Sequence, residues 1–332
     1  MGDEPSRSTH FGSELMVERG MAMSSRKKLK RRHWKPKTTG DRVFDAMNYI
    51  LLTAITLICF YPLLHILLAS VSNPTALMAH SGILLKPLGF TLDGYKLVFK
   101  DNSLLVGYKN TIIYVGLGTL VNMVMTIMGA FVLSRKDLYF KNFIMILITI
   151  TMFFGGGLIP WFLLMKDIHL YNNLWAMILP TALSTWNIII LRTSFQALPA
   201  ELEEAATIDG ASQAAILIRV ILPLSKATLA VIFLYYLVGN WNSWFNAMVL
   251  LKDRELFPLQ LLMKEILVAN DSTATTIGSA GGVVIDSAQS STAFRELVKY
   301  CAIVVSTVPI LVVYPFLQKY FVKGVYVGSI KG

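Results

Sequence analysis

The chain has 332 residues, of which 55% are hydrophobic and only 15% are charged, and its mean hydropathy is +0.57. Soluble domains carry about a quarter charged residues, so this composition excludes an ordinary soluble domain and predicts a protein that lies mostly in a membrane. The two cysteines, Cys59 and Cys301, stand apart inside apolar stretches, which excludes a disulfide framework and a cysteine metal cluster.

The N-terminal tail, residues 1–42, holds most of the net charge of +10, with 11 Lys and Arg residues against 5 Asp and Glu residues. We expect this tail to be disordered, to stay in the cytoplasm and to contact anionic lipid through its basic run at 26–32. That simple role argues against nucleic-acid binding. A cleaved signal peptide is not expected, because the basic region and the apolar run after it are both too long.

Windows that contain no Asp, Glu, Lys or Arg locate the membrane spans of the second domain, residues 43–332. A helix needs about 20 apolar residues to cross a hydrocarbon core of about 30 Å, and each window reaches or nearly reaches that length. The windows predict an all-α integral membrane fold with six transmembrane helices. These helices are expected at about 46–71, 110–134, 142–165, 173–195, 225–250 and 297–317.

The third predicted helix is interrupted by Gly155, Gly156 and Gly157. Each glycine costs about 1 kcal/mol relative to alanine inside a helix, so a break is expected there. Such breaks either line a translocation path or admit a closely packed neighbouring helix, and the sequence leaves both possibilities open.

A long segment, residues 252–296, separates the fifth and sixth predicted helices. Leu259, Leu262 and Ile266 recur in it at helical spacing beside charged residues. This pattern predicts an amphipathic helix over 256–268 that lies at the membrane interface.

The distribution of Lys and Arg predicts the orientation. With the N-terminus in the cytoplasm, the inside segments hold 20 of these residues and the outside segments hold 10. Because cytoplasmic segments are enriched in Lys and Arg, both termini are expected inside, and so is the loop 198–224 between the fourth and fifth helices.

The loop 198–224 has the local chemistry of a short, rigid helix. Pro199 suits a first helical turn, the acidic residues after it suit the positive end of the helix dipole, and Gly210 suits a left-handed C-terminal cap. Taken alone, this chemistry also fits an ordinary solvated loop helix.

The spacing in this loop resembles the EAA loop of the membrane subunits of bacterial ABC importers. The matching residues are Glu204, Ala205, Ala206, Gly210, Val220, Leu222 and Pro223. The resemblance covers about 42–332. Within the family, the chain is similar to the carbohydrate-uptake, maltose-type branch, which has the MetI-like fold. It rests further on Phe90–Tyr95, on Trp241–Trp244 and on the C-terminal Gly328–Gly332.

The resemblance implies the type I importer permease fold in a bacterial cell membrane, crossed several times. It implies a second homologous permease subunit, two cytoplasmic ATPase subunits, an extracytoplasmic solute-binding protein and a carbohydrate substrate, most simply an oligosaccharide. No cofactor is expected, and ATP hydrolysis is assigned to the partner because the chain has no phosphate-binding loop. The residues implied to couple the chain to the ATPase are Glu204, Ala205, Ala206, Asp209, Gly210 and Pro223.

The fifth predicted helix carries Asn240, Trp241, Asn242 and Trp244 within a few residues. Polar side chains are costly in a membrane unless they face protein or water. Indole rings stack on sugars and amides bond their hydroxyls, so these four residues are candidates for the substrate path. Contacts between helices, together with an interfacial aromatic belt, explain them equally well.

Two further interpretations of the function remain open at this point. A permease of the same family could carry a peptide or another small solute. A protein of another class, an ion-coupled secondary transporter or a membrane scaffold, would work without an ATPase. The predicted spans contain no Asp or Glu to carry a proton or sodium ion, which argues for energy supplied from outside the chain.

Overall fold

A computed structural model describes residues 38–100, 102–271 and 292–329. The chain divides into two units, residues 1–61 and 62–332. Within the described ranges every regular element is helical, apart from an isolated antiparallel bridge between Ser72 and Phe90. The α-helices are α1 (Thr39–Ser70), α2 (Pro74–Ala79), α3 (Asp93–Lys100), α4 (Asn102–Ser134), α5 (Lys141–Phe153), α6 (Leu158–Asp167), α7 (Trp175–Ile178), α8 (Thr185–Gln196), α9 (Ala200–Ile208), α10 (Gln213–Ile216), α11 (Leu222–Leu224), α12 (Lys226–Trp241), α13 (Trp244–Leu250), α14 (Leu259–Asp271) and α15 (Thr292–Ser329).

The first unit consists, in its described part, of α1 as far as Tyr61. The Asp41 carboxylate accepts hydrogen bonds from the Thr38 backbone nitrogen at 2.9 Å and from its hydroxyl at 2.6 Å, and it places negative charge in the first helical turn. The helix therefore begins inside the segment predicted as a tail. Residues 1–37 of that tail lie outside the described residues.

In the second unit, α1 ends at Ser70 and a new helix follows at once. Asn73 caps α2, since its Oδ1 accepts hydrogen bonds from Thr75 N at 3.1 Å and Ala76 N at 3.3 Å. Pro74 takes the first position of α2, where its missing amide costs nothing.

The Phe90–Tyr95 element starts α3. The Asp93 carboxylate accepts hydrogen bonds from Lys96 Nζ and from Thr91 Oγ1, both at 2.9 Å. The bond from Lys96, followed by the bond from Thr91 and the positive charge of Lys96, lowers the pKa of Asp93. The element therefore works as a local helix start.

Close packing holds α3 against α15. A Cβ added at Gly94 would lie 2.6 Å from Cys301 Sγ and 2.8 Å from Leu297 Cγ. The Tyr95 hydroxyl lies 2.8 Å from Ser70 Oγ, and burial raises the pKa of Tyr95. Gly94 is therefore required by the close approach of the two helices.

Helix α4 lies at the centre of the second unit and contacts α8, α12 and α14. Hydrophobic burial does little to hold helices together in a bilayer, so small side chains and hydrogen bonds must do so. The buried residues of α4 fit this requirement, because most are small or polar. They include Gly107, Thr111, Gly118, Thr119, Asn122, Thr126 and Ala130.

The break predicted in the third helix is present. Helix α5 ends at Phe153, α6 begins at Leu158, and their axes differ by 113°. Gly157 has φ +83°, a left-handed conformation that residues with a Cβ rarely adopt. The glycine run thus redirects the chain.

The fourth and fifth predicted helices are each divided in the structure. In the fourth, a 3-10 turn at Leu179–Thr181 contains Pro180, and α8 starts afresh with Ser184 as its N-cap. In the fifth, Ser243 Oγ donates to the Asn240 carbonyl at 2.7 Å between α12 and α13. The first interruption is explained by Pro180, which has no backbone N–H to donate. The second is explained by the Ser243 side chain, which competes for a backbone carbonyl group.

Helix α14 corresponds to the predicted amphipathic helix, but its apolar face is buried within the protein. Leu259 and Leu262 belong to a cluster of buried side chains contributed by α3, α4, α12 and α15. These side chains therefore face protein rather than lipid, and the position of the helix at the membrane interface remains a prediction. The spacing of apolar residues shows that one face of the helix is apolar, but it does not show whether that face contacts lipid or protein.

Three described helices are long and apolar enough to cross a bilayer, and the number rises to five if each bent pair forms one span. The three are α1, α4 and residues 293–313 of α15. One bent pair is α5 with α6, and the other joins residues 213–224 to α12 at 87°. The six crossings remain a prediction.

Candidate functional site: the EAA loop and the polar end of α12

The EAA helix, α9, starts one residue later than predicted, because Pro199 precedes the first helical turn instead of lying in it. Pro199 stands at the N-cap with φ −58° and ψ 130°, and Glu201 and Glu203 lie in the first turn. Negative charge there stabilises the helix through its dipole. Glu204 follows on the exposed side.

The end of α9 is closed by a left-handed glycine. Gly210 has φ +75°, and its backbone nitrogen donates to the Thr207 carbonyl at 3.0 Å. The next amide, of Ala211, donates to the Ala206 carbonyl at 2.9 Å. These bonds satisfy carbonyl groups that a helix end leaves open, so the loop has a defined end.

The outer surface of α9 is small, acidic and partly apolar. Ala205 and Asp209 are exposed, whereas Ala206 is half-buried against a hydrophobic cluster. Sequence reasoning did not single out Ile208, which is 86% exposed in the structure. It lies four residues after Glu204, on the same face of the helix, and that spacing could have identified it. Its place beside Glu204 makes Ile208 a further candidate for the exposed surface of α9.

The remaining coupling candidate, Pro223, is separate from α9. It lies exposed in α11, after a π-helical turn at Leu217–Ile221. The chain then bends into α12, which begins at Lys226. Pro223 therefore lies at the entry to the fifth predicted span.

An ion pair that sequence reasoning missed joins α9 to the end of α4. Arg135 Nη1 donates to Glu203 Oε2 at 2.6 Å, and Nη2 donates to Oε1 at 3.1 Å. Two parallel bonds fix orientation as well as distance. No local pattern identifies this pair, because its members are 68 residues apart.

At the other end of α12, Asn240 belongs to a network between helices. Its Nδ2 donates to Thr119 Oγ1 at 3.2 Å and to Asn122 Oδ1 at 3.0 Å, both on α4. Asn122 is fully buried and donates in turn to the Thr181 carbonyl. Of the two interpretations of Asn240, helix–helix contact is the one that these bonds favour.

A second set of hydrogen bonds between α4 and α12 involves Tyr236, which was not among the sequence candidates. Its hydroxyl lies 2.6 Å from Thr126 Oγ1 and accepts a hydrogen bond from Ser184 N at 3.2 Å. The bonds of Tyr236 thus join α4 and α12 to the start of α8. Polar residues recurring inside apolar helices were a usable signal, but their partners could not be assigned from spacing.

Trp241 is 7% exposed and packs in the cluster that contains Leu259 and Leu262. Its Nε1 has no hydrogen-bond partner among the described residues. Asn242 is exposed, and its Nδ2 donates to the Val238 carbonyl of its own helix at 3.0 Å. Trp241 therefore faces the core, while Asn242 faces outward.

Trp244 is the partly exposed aromatic residue of this group, with 37% exposure. Lys264 Nζ lies 4.3 Å from the centroid of the Trp244 ring and 2.9 Å from Met248 Sδ. Within the described ranges no carboxylate pairs with this ammonium, whereas the neighbouring Glu265 pairs with Arg254 at 2.9 Å. The structure thus combines an indole ring with a cation that no carboxylate of the described residues pairs with.

Comparisons with known proteins agree with this architecture. Residues 104–325 match the family described as binding-protein-dependent transport system inner membrane component. Protein LplC of Bacillus subtilis is 37% identical over 300 residues, which are 90% of this chain and 99% of that protein. The polygalacturonan/rhamnogalacturonan transport system permease protein YtcP of the same species is 38% identical over 296 residues, with 88% and 99% covered.

A solved structure has the same fold. A chain of a bacterial ABC transporter involved in the import of the acidic polysaccharide alginate is 33% identical, with a TM-score of 0.77, and the match covers 86% of this chain and 99% of that one. The chain therefore belongs to the family of binding-protein-dependent transport system inner membrane components and is a multi-pass permease with the type I ABC importer fold.

Proposed function

We propose that the chain forms half of the translocation path for an oligosaccharide in an ABC importer and couples that path to separate ATPase subunits. The observation that carries this proposal is the EAA helix α9, which has a defined start, a left-handed glycine end and an exposed face. A helix with defined ends can move as one unit when a partner binds it. In this proposal the chain crosses the membrane six times, with both termini in the cytoplasm.

The proposed assembly contains a second homologous permease, two cytoplasmic ATPase subunits and an extracytoplasmic sugar-binding protein. The ATPase subunits bind α9 of each permease, and their closure on ATP moves the loop. That movement changes which side of the membrane the path opens to, and hydrolysis resets it. The hydrolytic groups belong to the ATPase, so this chain itself is not an enzyme.

We propose further that the substrate is an acidic oligosaccharide. A curated relative is named for polygalacturonan and rhamnogalacturonan, and the solved relative takes part in alginate import. The chain has Lys264 beside Trp244. An indole ring can stack on a sugar while a nearby ammonium bonds its carboxylate.

The test uses the whole complex in proteoliposomes, with ATP enclosed with the ATPase subunits and a loaded binding protein outside. ATP-dependent uptake of oligogalacturonate that persists with a proton uncoupler is the expected result. Uptake that requires an ion gradient and no ATP would instead indicate a secondary transporter.

The substrate class is tested separately in the same vesicles. Oligogalacturonate should compete for uptake better than a neutral oligosaccharide of equal length. Equal competition would refute the acidic preference and leave the importer proposal intact. Transport of a peptide with no sugar uptake would refute the carbohydrate proposal.

A further inference from the structure

The C-terminal end of α4 is a junction of several segments. Lys141, the first residue of α5, donates to the Arg135 carbonyl at 2.7 Å, and Arg192 of α8 donates from Nε to the Leu133 carbonyl at 2.9 Å. Both cations bond carbonyl groups at the negative end of the α4 dipole. The start of α5 and the body of α8 are therefore tied to the same helix end.

The EAA helix is tied to this junction by the Arg135–Glu203 ion pair. The Arg135 side chain is 22% exposed and that of Glu203 is 31% exposed, so water screens the pair only in part. The Arg135 guanidinium also lies 4.1 Å from the centroid of the Phe131 ring, which belongs to α4. A guanidinium held by both a ring and a carboxylate has little freedom to rotate.

The chain itself connects α9 to α8 through residues 197–199 and to α10 through residues 209–212, and neither link leads directly to α4. Ala206 of α9 adds a packing contact with a cluster that includes Phe131 and Ile216. The ion pair is thus a direct polar connection from α9 to α4. Helix α4 in turn carries Asn122 and Thr126, which are hydrogen-bonded to Asn240 and Tyr236 of α12. Tyr236 also accepts a hydrogen bond from the backbone at the start of α8.

We propose that Arg135 and Glu203 are positioning residues that make α4 move together with the EAA helix. The pair carries displacement of α9 into the helix that holds the internal polar network. This inference rests on the proposed role of α9 as the ATPase contact. Without the pair, α9 would pivot on its chain links to α8 and α10, and part of the ATPase movement would be lost before it reached α4.

The experiment compares wild type with Glu203→Gln and Arg135→Gln in the reconstituted complex. The measured quantity is the number of oligosaccharide molecules transported per ATP hydrolysed. Each single substitution should lower this ratio about fivefold, the factor that corresponds to about 1 kcal/mol of lost coupling. The ATPase subunits should remain bound, and the exchanged pair, Arg135→Glu with Glu203→Arg, should recover part of the ratio.

The matched control is Asp93→Asn, which breaks the Lys96–Asp93 ion pair on α3 and involves no residue of α4, α8 or α9. Its transport ratio should equal that of wild type. Unchanged ratios in both single variants would overturn the proposal. Loss of ATPase binding in Glu203→Gln would also overturn it, because Glu203 would then be a docking residue.

A distance measurement covers the case in which a variant assembles poorly. Spin labels at Leu202 on α9 and Val124 on α4, in a Cys59→Ser background, report whether the two helices move together in the complex that does form. On ATP binding the label distance should stay constant in wild type and change in Glu203→Gln. A constant distance in both would refute the inference. Failure of wild type to couple ATP to uptake would refute the proposed function itself.

Discussion

At the scale of single residues, Gly210 is the position in the EAA loop where backbone conformation decides the outcome. A Cβ placed there would have open space around it, so no clash prevents substitution. The constraint is φ +75°, a conformation that costs an L-residue about 1–2 kcal/mol. The glycine therefore serves to end α9 and to hold the loop in one shape.

We expect Gly210→Val to insert in the membrane normally and to retain less ATPase subunit. The substitution strains the cap and shifts the exposed face of α9, and Glu204→Lys should act similarly by reversing the charge of that face. The measurement is the amount of ATPase recovered with the purified permease. Gly116→Val is the control, since Gly116 has open space and lacks a positive φ. Undiminished recovery for Gly210→Val would argue against docking at this loop.

Trp244 and Lys264 provide a second residue-scale prediction. Trp244→Ala should reduce transport while leaving assembly intact, because the ring is partly exposed. Lys264→Gln should raise the half-saturating concentration of an acidic oligosaccharide by about tenfold or more, as expected when a hydrogen bond to a charged group worth about 1.5–3 kcal/mol is lost.

The control for Lys264 is Lys252→Gln, a second lysine of the same predicted outside segment. Uptake of a neutral oligosaccharide should be unaffected by either change. If Trp244→Ala prevents assembly before it affects transport, the residue is a packing residue. If Lys264→Gln changes the half-saturating concentrations of acidic and neutral sugars equally, Lys264 does not bind the carboxylate.

At the scale of elements, the packing of α3 on α15 depends on Gly94. We expect Gly94→Ala to destabilise the protein by about 1–3 kcal/mol, because the new methyl group would overlap Cys301 and Leu297. Thermal unfolding in detergent measures the effect. Gly116→Ala, on open surface, should change the unfolding temperature much less. Equal stability of the two variants would show that α3 can shift away from α15 at little cost in free energy.

The elements also show where sequence reasoning ends. The break at Gly155–Gly157 and the cap at Gly210 could be predicted, because both follow from the conformational range of one residue type. The division between α7 and α8 was not predicted, although Pro180 lay in the sequence. Many membrane helices contain a proline without being divided, because neighbouring groups bond the carbonyl that the proline leaves free. A proline alone therefore does not show whether a helix is interrupted.

The candidate site was predictable to a similar extent. The extent and ends of α9 followed from local capping chemistry, and its coupling role was drawn from the motif. The inward positions of Asn240 and Trp241 did not follow, because a polar residue in a span can face a path or another helix. Only the partners, Asn122 for one and the Leu259 cluster for the other, distinguish these cases.

At the scale of the whole molecule, the orientation predicted from Lys and Arg can be tested directly. A cysteine at Asp209, in a Cys59→Ser background, should react with a membrane-impermeant maleimide in inside-out vesicles and not in intact cells. The second native cysteine, Cys301, is buried. A cysteine at Lys86, in a predicted outside segment, should show the opposite pattern. Labelling of residue 209 in intact cells would refute the cytoplasmic loop and, with it, the coupling proposal.

The sequence by itself determined the membrane location, the helical class and the form of the EAA helix. These depend on composition and on contacts within a few residues, where helix geometry and capping rules apply directly. The tertiary structure decided that α14 turns its apolar face to protein, that Trp241 lies in the core and that Arg135 binds Glu203. Those results depend on which helices meet, and residues far apart in the chain settle that through packing and hydrogen bonding that no local pattern encodes.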